Sequence, residues 1–285
     1  MSFKSEFRLG MFGFGDGNMR ELYQMKSRWL SITTLFGRCV ATCYFVAVLV
    51  ASGLTYDTPK WPVFLTNWNI VLYTCYFIAG TSLSGYLWCT QRTHQVAATA
   101  TYGAVDESNI GLSTTDERRT EENVETTDGQ SEEPVVRVLG VAVWMLMEIS
   151  TALTIIIVLL YWVVLTGISG EGYFKYTKTN ERFVEINTHG VNLLCLLIDF
   201  FFHKIPVRVL HFLYVFVVAT LYVVLSVVYS VVTGKALYGL FDWKYNAGSA
   251  FGIMVGAYIA LFLVHMLLYG LYRVKMIIFK AMNCV

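Results

Sequence analysis

The sequence predicts an all-α membrane bundle of six transmembrane helices with a disordered cytosolic loop. Three observations carry that prediction. Of 285 residues, 56% are hydrophobic, 15% are aromatic and only 14% are charged, whereas about a quarter are charged in a soluble domain. Six apolar runs are each long enough to span a bilayer, which takes roughly 20 residues at about 1.5 Å each to cross about 30 Å of hydrocarbon. Unpaired backbone groups are too costly in lipid for such runs to be anything but helices. A net charge of +1 also argues against a nucleic-acid binder, which would carry a clustered basic footprint.

The chain opens with a tail, residues 1–37, in which Gly13, Gly15 and Gly17 resemble a phosphate-binding loop only superficially. No strand precedes them and no crossover unit follows, so they read as a flexible segment. Met19, Leu22, Tyr23, Lys26, Arg28, Trp29 and Leu30 suit a basic amphipathic helix lying on the inner leaflet. Spans are expected at about 38–55, 65–89, 138–165, 187–203, 209–233 and 247–273, within a membrane domain of residues 38–275. The fourth is the shortest and most polar, and the fifth is rich in Val and Ile without becoming a strand. Between the second and third, about Gln91 to Arg137, the chain is rich in Thr, Ser, Glu and Asp. It cannot bury enough surface to offset chain entropy and is expected to be a disordered solvated linker, with Ser113, Thr114 and Thr126 as alternative phosphorylation sites. Residues 276–285 form a second tail.

Basic residues set the orientation. Of 21 Lys and Arg, only Lys60, Lys175, Lys178, Arg182, Lys235 and Lys244 fall on one face, and the rest crowd the face bearing both termini. Both termini are therefore expected in the cytosol of a plasma-membrane or endoplasmic-reticulum protein. The first apolar run begins late and is too long for a signal peptide.

Cys39, Cys43, Cys75, Cys89 and Cys195 lie within expected spans and read as buried small apolar residues, with Cys284 in the tail. No disulfide framework is supported, Cys284 does not complete a prenylation box, and Cys39 and Cys89 are minor palmitoylation candidates. His203, His211 and His265 lack the short ligand spacing of a metal site and read as interfacial, while His94 falls in the loop. No metal or cofactor is expected. Gly248, Gly252 and Gly256 recur every fourth residue, with Ala260 continuing the row. Such a stripe admits a close backbone and is read as intramolecular packing, with a homodimer seam as the alternative. Glu148 and Asp199 are placed about 15 and 18 Å into their helices, near the membrane middle. Facing each other they would share a proton, either structurally or in proton-coupled transport.

Two residues capable of chemistry share one depth on the non-cytosolic side: Thr66, in Phe64-Leu65-Thr66-Asn67-Trp68, and His189, in Asn187-Thr188-His189-Gly190. A threonine hydroxyl needs a base to become a nucleophile, and a neutral histidine is the usual partner. Asn69 and Asn192, each three positions on, are expected on the same helix faces as candidate oxyanion donors. Asp199 is too distant to orient His189, whereas Glu185 is near enough if its helix begins early. Helix-end capping and packing is the alternative reading of these residues.

The run Trp61 to Asn69 and the segment Asn187 to Asp199 resemble the rolling stone family and, more remotely, the androgen-induced membrane hydrolases, with similar helix order over most of the bundle. Resemblance to the hydrolases implies cleavage of fatty-acyl ester lipids by a threonine and histidine matching Thr66 and His189. Resemblance to rolling stone implies a role in myoblast fusion or differentiation without catalysis. The acidic 91–137 loop and the Asn67-Trp68 pair belong to the rolling stone side of that resemblance.

Overall fold

Six helices long and apolar enough to cross a membrane form the bundle, and no strand occurs among the described residues. The computed structural model describes residues 6, 13–14, 19–23, 28–56, 59–108, 133–168, 178–239 and 241–281. Helix α1 is Arg28–Thr55, and α2 is Leu65–Ser108. Helix α3 starts on Pro134, where a missing N–H costs nothing, runs to Leu159 and continues as a π-helix over Leu160–Ile168. Helix α4, Thr179–Phe200, is interrupted by a π turn at Asn187–Val191. A 3₁₀ turn at Val209–His211 leads into α5, Phe212–Thr233, and α6 is Ala247–Ala281. The first and fourth helices begin earlier than expected, and α2 runs past residue 91 into the expected loop. Residues 109–132, with Ser113, Thr114 and Thr126, lie outside the described residues, as do Gly15, Gly17, Cys284 and the side chain of His94.

Helix α3 is the hub, packing against α2, α4, α5 and α6. Its inward face buries Val143, Trp144, Met147, Leu153 and Ile156 against Ile70, Tyr73 and Phe77 of α2. Outward residues such as Leu54 (77% exposed) and Val232 (78% exposed) are apolar, as a lipid-facing surface requires. Gly234 ends α5 in the left-handed region at φ 67°, its N–H donating to the Ser230 carbonyl at 2.9 Å, a conformation glycine adopts without steric cost.

The two acids, Glu148 and Asp199, do not meet. Because α4 starts at Thr179, Asp199 falls in its last turn, where Arg38 donates from Nε at 2.7 Å and from Nη2 at 3.1 Å, and the Tyr76 hydroxyl donates as well. Glu148 lies level with the start of α5, accepting from Trp144 Nε1 and the Arg208 backbone N–H, both at 3.1 Å, and lying 2.6 Å from His211 Nδ1. Each carboxylate thus has its own partners, and no proton is shared between them.

His203, His211 and His265 are fully buried within the bundle. His203 Nδ1 accepts from the Ile205 N–H at 3.2 Å, and His265 Nε2 lies 2.8 Å from the Arg208 carbonyl. Burial first, then the charges of Lys275 and Arg38, hold the His203 imidazole well below its ordinary pKa. Lys275, also buried, donates to the Phe200 carbonyl at 2.8 Å with its ammonium 3.8 Å from that ring's centre.

The described residues of the amino-terminal tail pack against the bundle. Met19 and Tyr23, in a short helix Met19–Tyr23, are buried. Tyr23 donates to the Gly140 carbonyl at 2.6 Å, the Lys204 N–H donates to the Leu22 carbonyl at 2.9 Å, and the Phe14 ring lies 4.7 Å from that of His211. Gly140 makes room: a Cβ there would lie 3.0 Å from Met19.

Two further expectations are corrected. Among the described residues, the stripe Gly248, Gly252 and Gly256 packs against no other helix, since a Cβ at each would meet nothing within 4 Å. Cys39, Cys43, Cys75 and Cys89 are exposed on the outer helix faces, because a small apolar thiol is as compatible with lipid as with a protein core.

Replacing Asp199 with Leu strands the Arg38 charge in the interior and is expected to cost about 3–5 kcal/mol, read as a lowered unfolding midpoint in detergent. The double variant Arg38→Met/Asp199→Leu is expected to recover most of that loss. Gly140→Leu fills the groove under Met19 and is expected to free the tail, seen as faster proteolysis before residue 28 with the helices intact.

Candidate active site

At the side of the bundle opposite the termini, all six helices border a cavity of about 790 Å³. Aliphatic and aromatic residues such as Leu153, Val223, Leu261, Phe64 and Tyr258 form most of its wall, and Thr66, Glu185 and His189 are among its polar lining residues.

Thr66 stands in the first turn of α2, just after the 3₁₀ turn Trp61–Val63. Three side-chain bonds fix that connector. Asn67 Nδ2 donates to the Trp61 carbonyl at 2.6 Å, Trp68 Nε1 to the Pro62 carbonyl at 2.6 Å, and Trp61 Nε1 to Ser52 Oγ at 3.0 Å. The Asn-Trp pair after the threonine therefore holds the entry loop against its own helix and sets where the hydroxyl stands.

His189 lies inside the π turn of α4, with non-helical φ −122° and ψ 17°. A π turn loosens the backbone ladder, and here Trp162 Nε1 donates to the His189 carbonyl at 2.6 Å. The imidazole stacks on the Tyr161 ring, with centres 3.7 Å apart and planes 3° from parallel. Its Nε2 lies 3.2 Å from Glu185 Oε2, and the Tyr56 hydroxyl donates to Glu185 Oε1. Nδ1 is buried with no hydrogen-bond partner. With Nε2–H donating to the carboxylate, the Nδ1 lone pair is left to receive a proton.

The structure thus brings Thr66 and His189 to one cavity, and with α4 starting at Thr179 it puts Glu185 one turn before His189. Asn69 and Asn192 do not join them. Asn69 is buried against α3, donating to Thr154 Oγ1 at 2.8 Å. Asn192 donates to the Thr188 carbonyl at 2.7 Å and accepts from the Leu193 N–H at 2.8 Å. Neither lines the cavity, because Asn69 projects toward α3 and the π turn breaks the three-residue register between His189 and Asn192. Glu148 and Asp199 do not line the cavity either.

One residue of the site comes from a segment that gave no signal in the sequence. Tyr238, in the connector between α5 and α6, lines the cavity. Its ring lies 5.9 Å from that of Phe64. Burial pushes this phenol above its ordinary pKa. Among the described residues, no three His, Cys, Asp or Glu side chains are grouped to hold a metal ion.

Comparison with known proteins bears on the whole chain. No solved structure matches it. Protein rolling stone of Drosophila melanogaster is 30% identical over 152 residues, which cover 50% of this chain and 51% of that protein. The aligned region thus spans about half the length of that relative. The family model described as Protein rolling stone matches residues 1–285. This six-helix membrane chain belongs to the rolling stone family.

Proposed function

We propose that this protein hydrolyses fatty-acyl ester lipids, with Thr66 as nucleophile and His189 as general base. The observation that carries the reading is that Thr66 and His189, 123 positions apart in sequence, line one largely apolar cavity, and that the buried Nδ1 of His189 has no hydrogen-bond partner. The volume, about 790 Å³, falls within the range of pockets that enclose small organic ligands, roughly 300–1,000 Å³. Its largely apolar walls suit an acyl chain.

In this reading Thr66 Oγ attacks the ester carbonyl carbon as its proton passes to His189 Nδ1. Collapse of the tetrahedral adduct breaks the bond to the alcohol oxygen, which takes the proton from His189. Water, deprotonated by the same nitrogen, then attacks the acyl-threonine, and the Thr66 oxygen leaves with its proton restored. Glu185 accepts from Nε2–H throughout, fixing the ring's tautomer and favouring the transient imidazolium. The chemistry agrees with the resemblance of the Thr66 and His189 segments to androgen-induced hydrolases. We also place both termini in the cytosol, from the crowding of Lys and Arg at that end, so the cavity lies toward the outer or luminal leaflet of the plasma membrane or endoplasmic reticulum.

Purified protein offered a panel of lipid esters is expected to release free fatty acid, with Thr66→Ala inactive and His189→Ala slowed about 10²–10⁴-fold. Thr66→Ala turnover equal to wild type would overturn the enzyme reading and leave a non-catalytic membrane organiser of cell fusion or differentiation.

A further inference from the structure

The cavity is not equally deep on all sides. Followed from the end of the bundle opposite the termini, its lining stops at Ser52 on α1 and Asn67 on α2, three and two positions from the helix ends at Thr55 and Leu65. On α4 it stops at His189. On α5 and α6 it continues to Ala219 and Leu261, each fourteen positions from the helix ends at Thr233 and Ala247, which is about 21 Å at helical rise. On α3 it reaches Leu153. A lobe between α3, α5 and α6 therefore extends past Thr66 toward the termini. Polar side chains on its wall are occupied: Ser226 Oγ accepts from Trp243 Nε1 at 3.0 Å, the Tyr258 hydroxyl lies 2.9 Å from Thr220 Oγ1, and the Tyr222 ring packs edge-on to Trp68 with centres 5.7 Å apart. A floor closes the lobe. Leu153 and Leu261 are buried, and beyond them Glu148, five positions away on α3, and His265, four positions away on α6, are buried and hydrogen-bonded to His211 and to the Arg208 carbonyl.

We infer that this lobe seats the acyl tail of the ester, and that Leu153, Ala219 and Leu261 set the longest tail the protein accepts. This rests on the hydrolase reading above and deepens it. With the ester carbonyl beside Thr66 and His189, a tail entering the lobe runs between α3, α5 and α6 and ends at the floor. An alkyl terminus has no hydrogen bond to exchange for those of Glu148 and His265, so displacing them would cost far more than stopping short. A tail that leaves the bilayer for the lobe moves from one apolar environment to another, since lipid is as apolar as leucine. Added methylenes thus gain little, and the floor selects by excluding tails that overrun it. Ala219 is the smallest of the three floor residues, so a larger side chain there raises the floor, while trimming either leucine lowers it.

The test uses full-length protein in detergent with a ladder of saturated 4-methylumbelliferyl esters, from butanoate to stearate. At the longest ester the wild type turns over well, Ala219→Leu is expected to lower kcat/KM about tenfold more than it does for butanoate, the effect of overfilling a packed space. Leu261→Ala is expected to shift the limit the other way, to a longer ester. Opposite shifts in two variants are not produced by general destabilisation. If Thr66→Ala is inactive while both floor variants keep the wild-type chain-length profile, the lobe does not seat the tail and this proposal fails while the hydrolase reading stands. A second measurement is independent of turnover: a fatty acid with a diazirine near its methyl end is photolysed with wild type and with Thr66→Ala, and the labelled residues are mapped by mass spectrometry. Label on the cavity-lining residues of α3, α5 and α6 that excess stearate removes is the expected result. Label confined to outward residues such as Leu54 and Val232, and not displaced by stearate, overturns the proposal. If no ester is cleaved yet the displaceable label is found, the hydrolase reading falls and the acyl-binding lobe remains.

Discussion

A carbonyl released inside a membrane has to find a donor, and at His189 that donor is the Trp162 indole, 2.6 Å away. The irregular turn that aims the imidazole is tolerated because α3, itself π-helical over Leu160–Ile168, brings Trp162 against it. Without that bond the turn would cost several kcal/mol in lipid, and a regular helix would carry the ring to a different azimuth. Tyr161, the residue before Trp162, stacks on the same imidazole, so two consecutive aromatics fix both the backbone and the ring of one histidine.

Polar groups divide between the two ends of the bundle. Toward the termini, Arg38 with Asp199 and Glu148 with His211 are close-packed pairs, bonded at 2.7 and 2.6 Å. Toward the other end, Glu185, His189, Thr66 and Tyr238 surround empty space. Charges paired without room for a ligand hold a structure in register, whereas polar groups at the edge of an apolar cavity have somewhere to act. The long hub α3 joins the two ends, contributing Trp144 and Glu148 to one and Tyr161 to the other.

Much of this was legible in the sequence. The number and order of the spans follow from apolar runs, which lipid allows to fold in only one way. Thr66 and His189 stood out as reactive groups at helix starts on one side, and the structure has them border one cavity. The start of α4 was missed because Glu181, Arg182 and Glu185 make its first turns polar, and with it the place of Asp199 in the last turn. Asn192 was expected beside His189 from the periodicity of an α-helix, which the inserted π turn does not keep. Tyr238 carries no local signal at all, since only the tertiary path of a connector brings it to the cavity. The amino-terminal residues have the composition of a leaflet-bound helix, and the groove at Gly140 adds that Met19 and Tyr23 pack against the bundle.

That groove has a bearing on assembly. Tyr23 bonds to the carbonyl of Gly140, and Leu22 accepts from Lys204, so a segment synthesised well before the third and fourth helices can seat only after they have been inserted. The docked strap therefore records completion: a bundle whose later helices are misplaced has no receptor for it, and its exposed Met19 and Tyr23 would distinguish immature chains from finished ones.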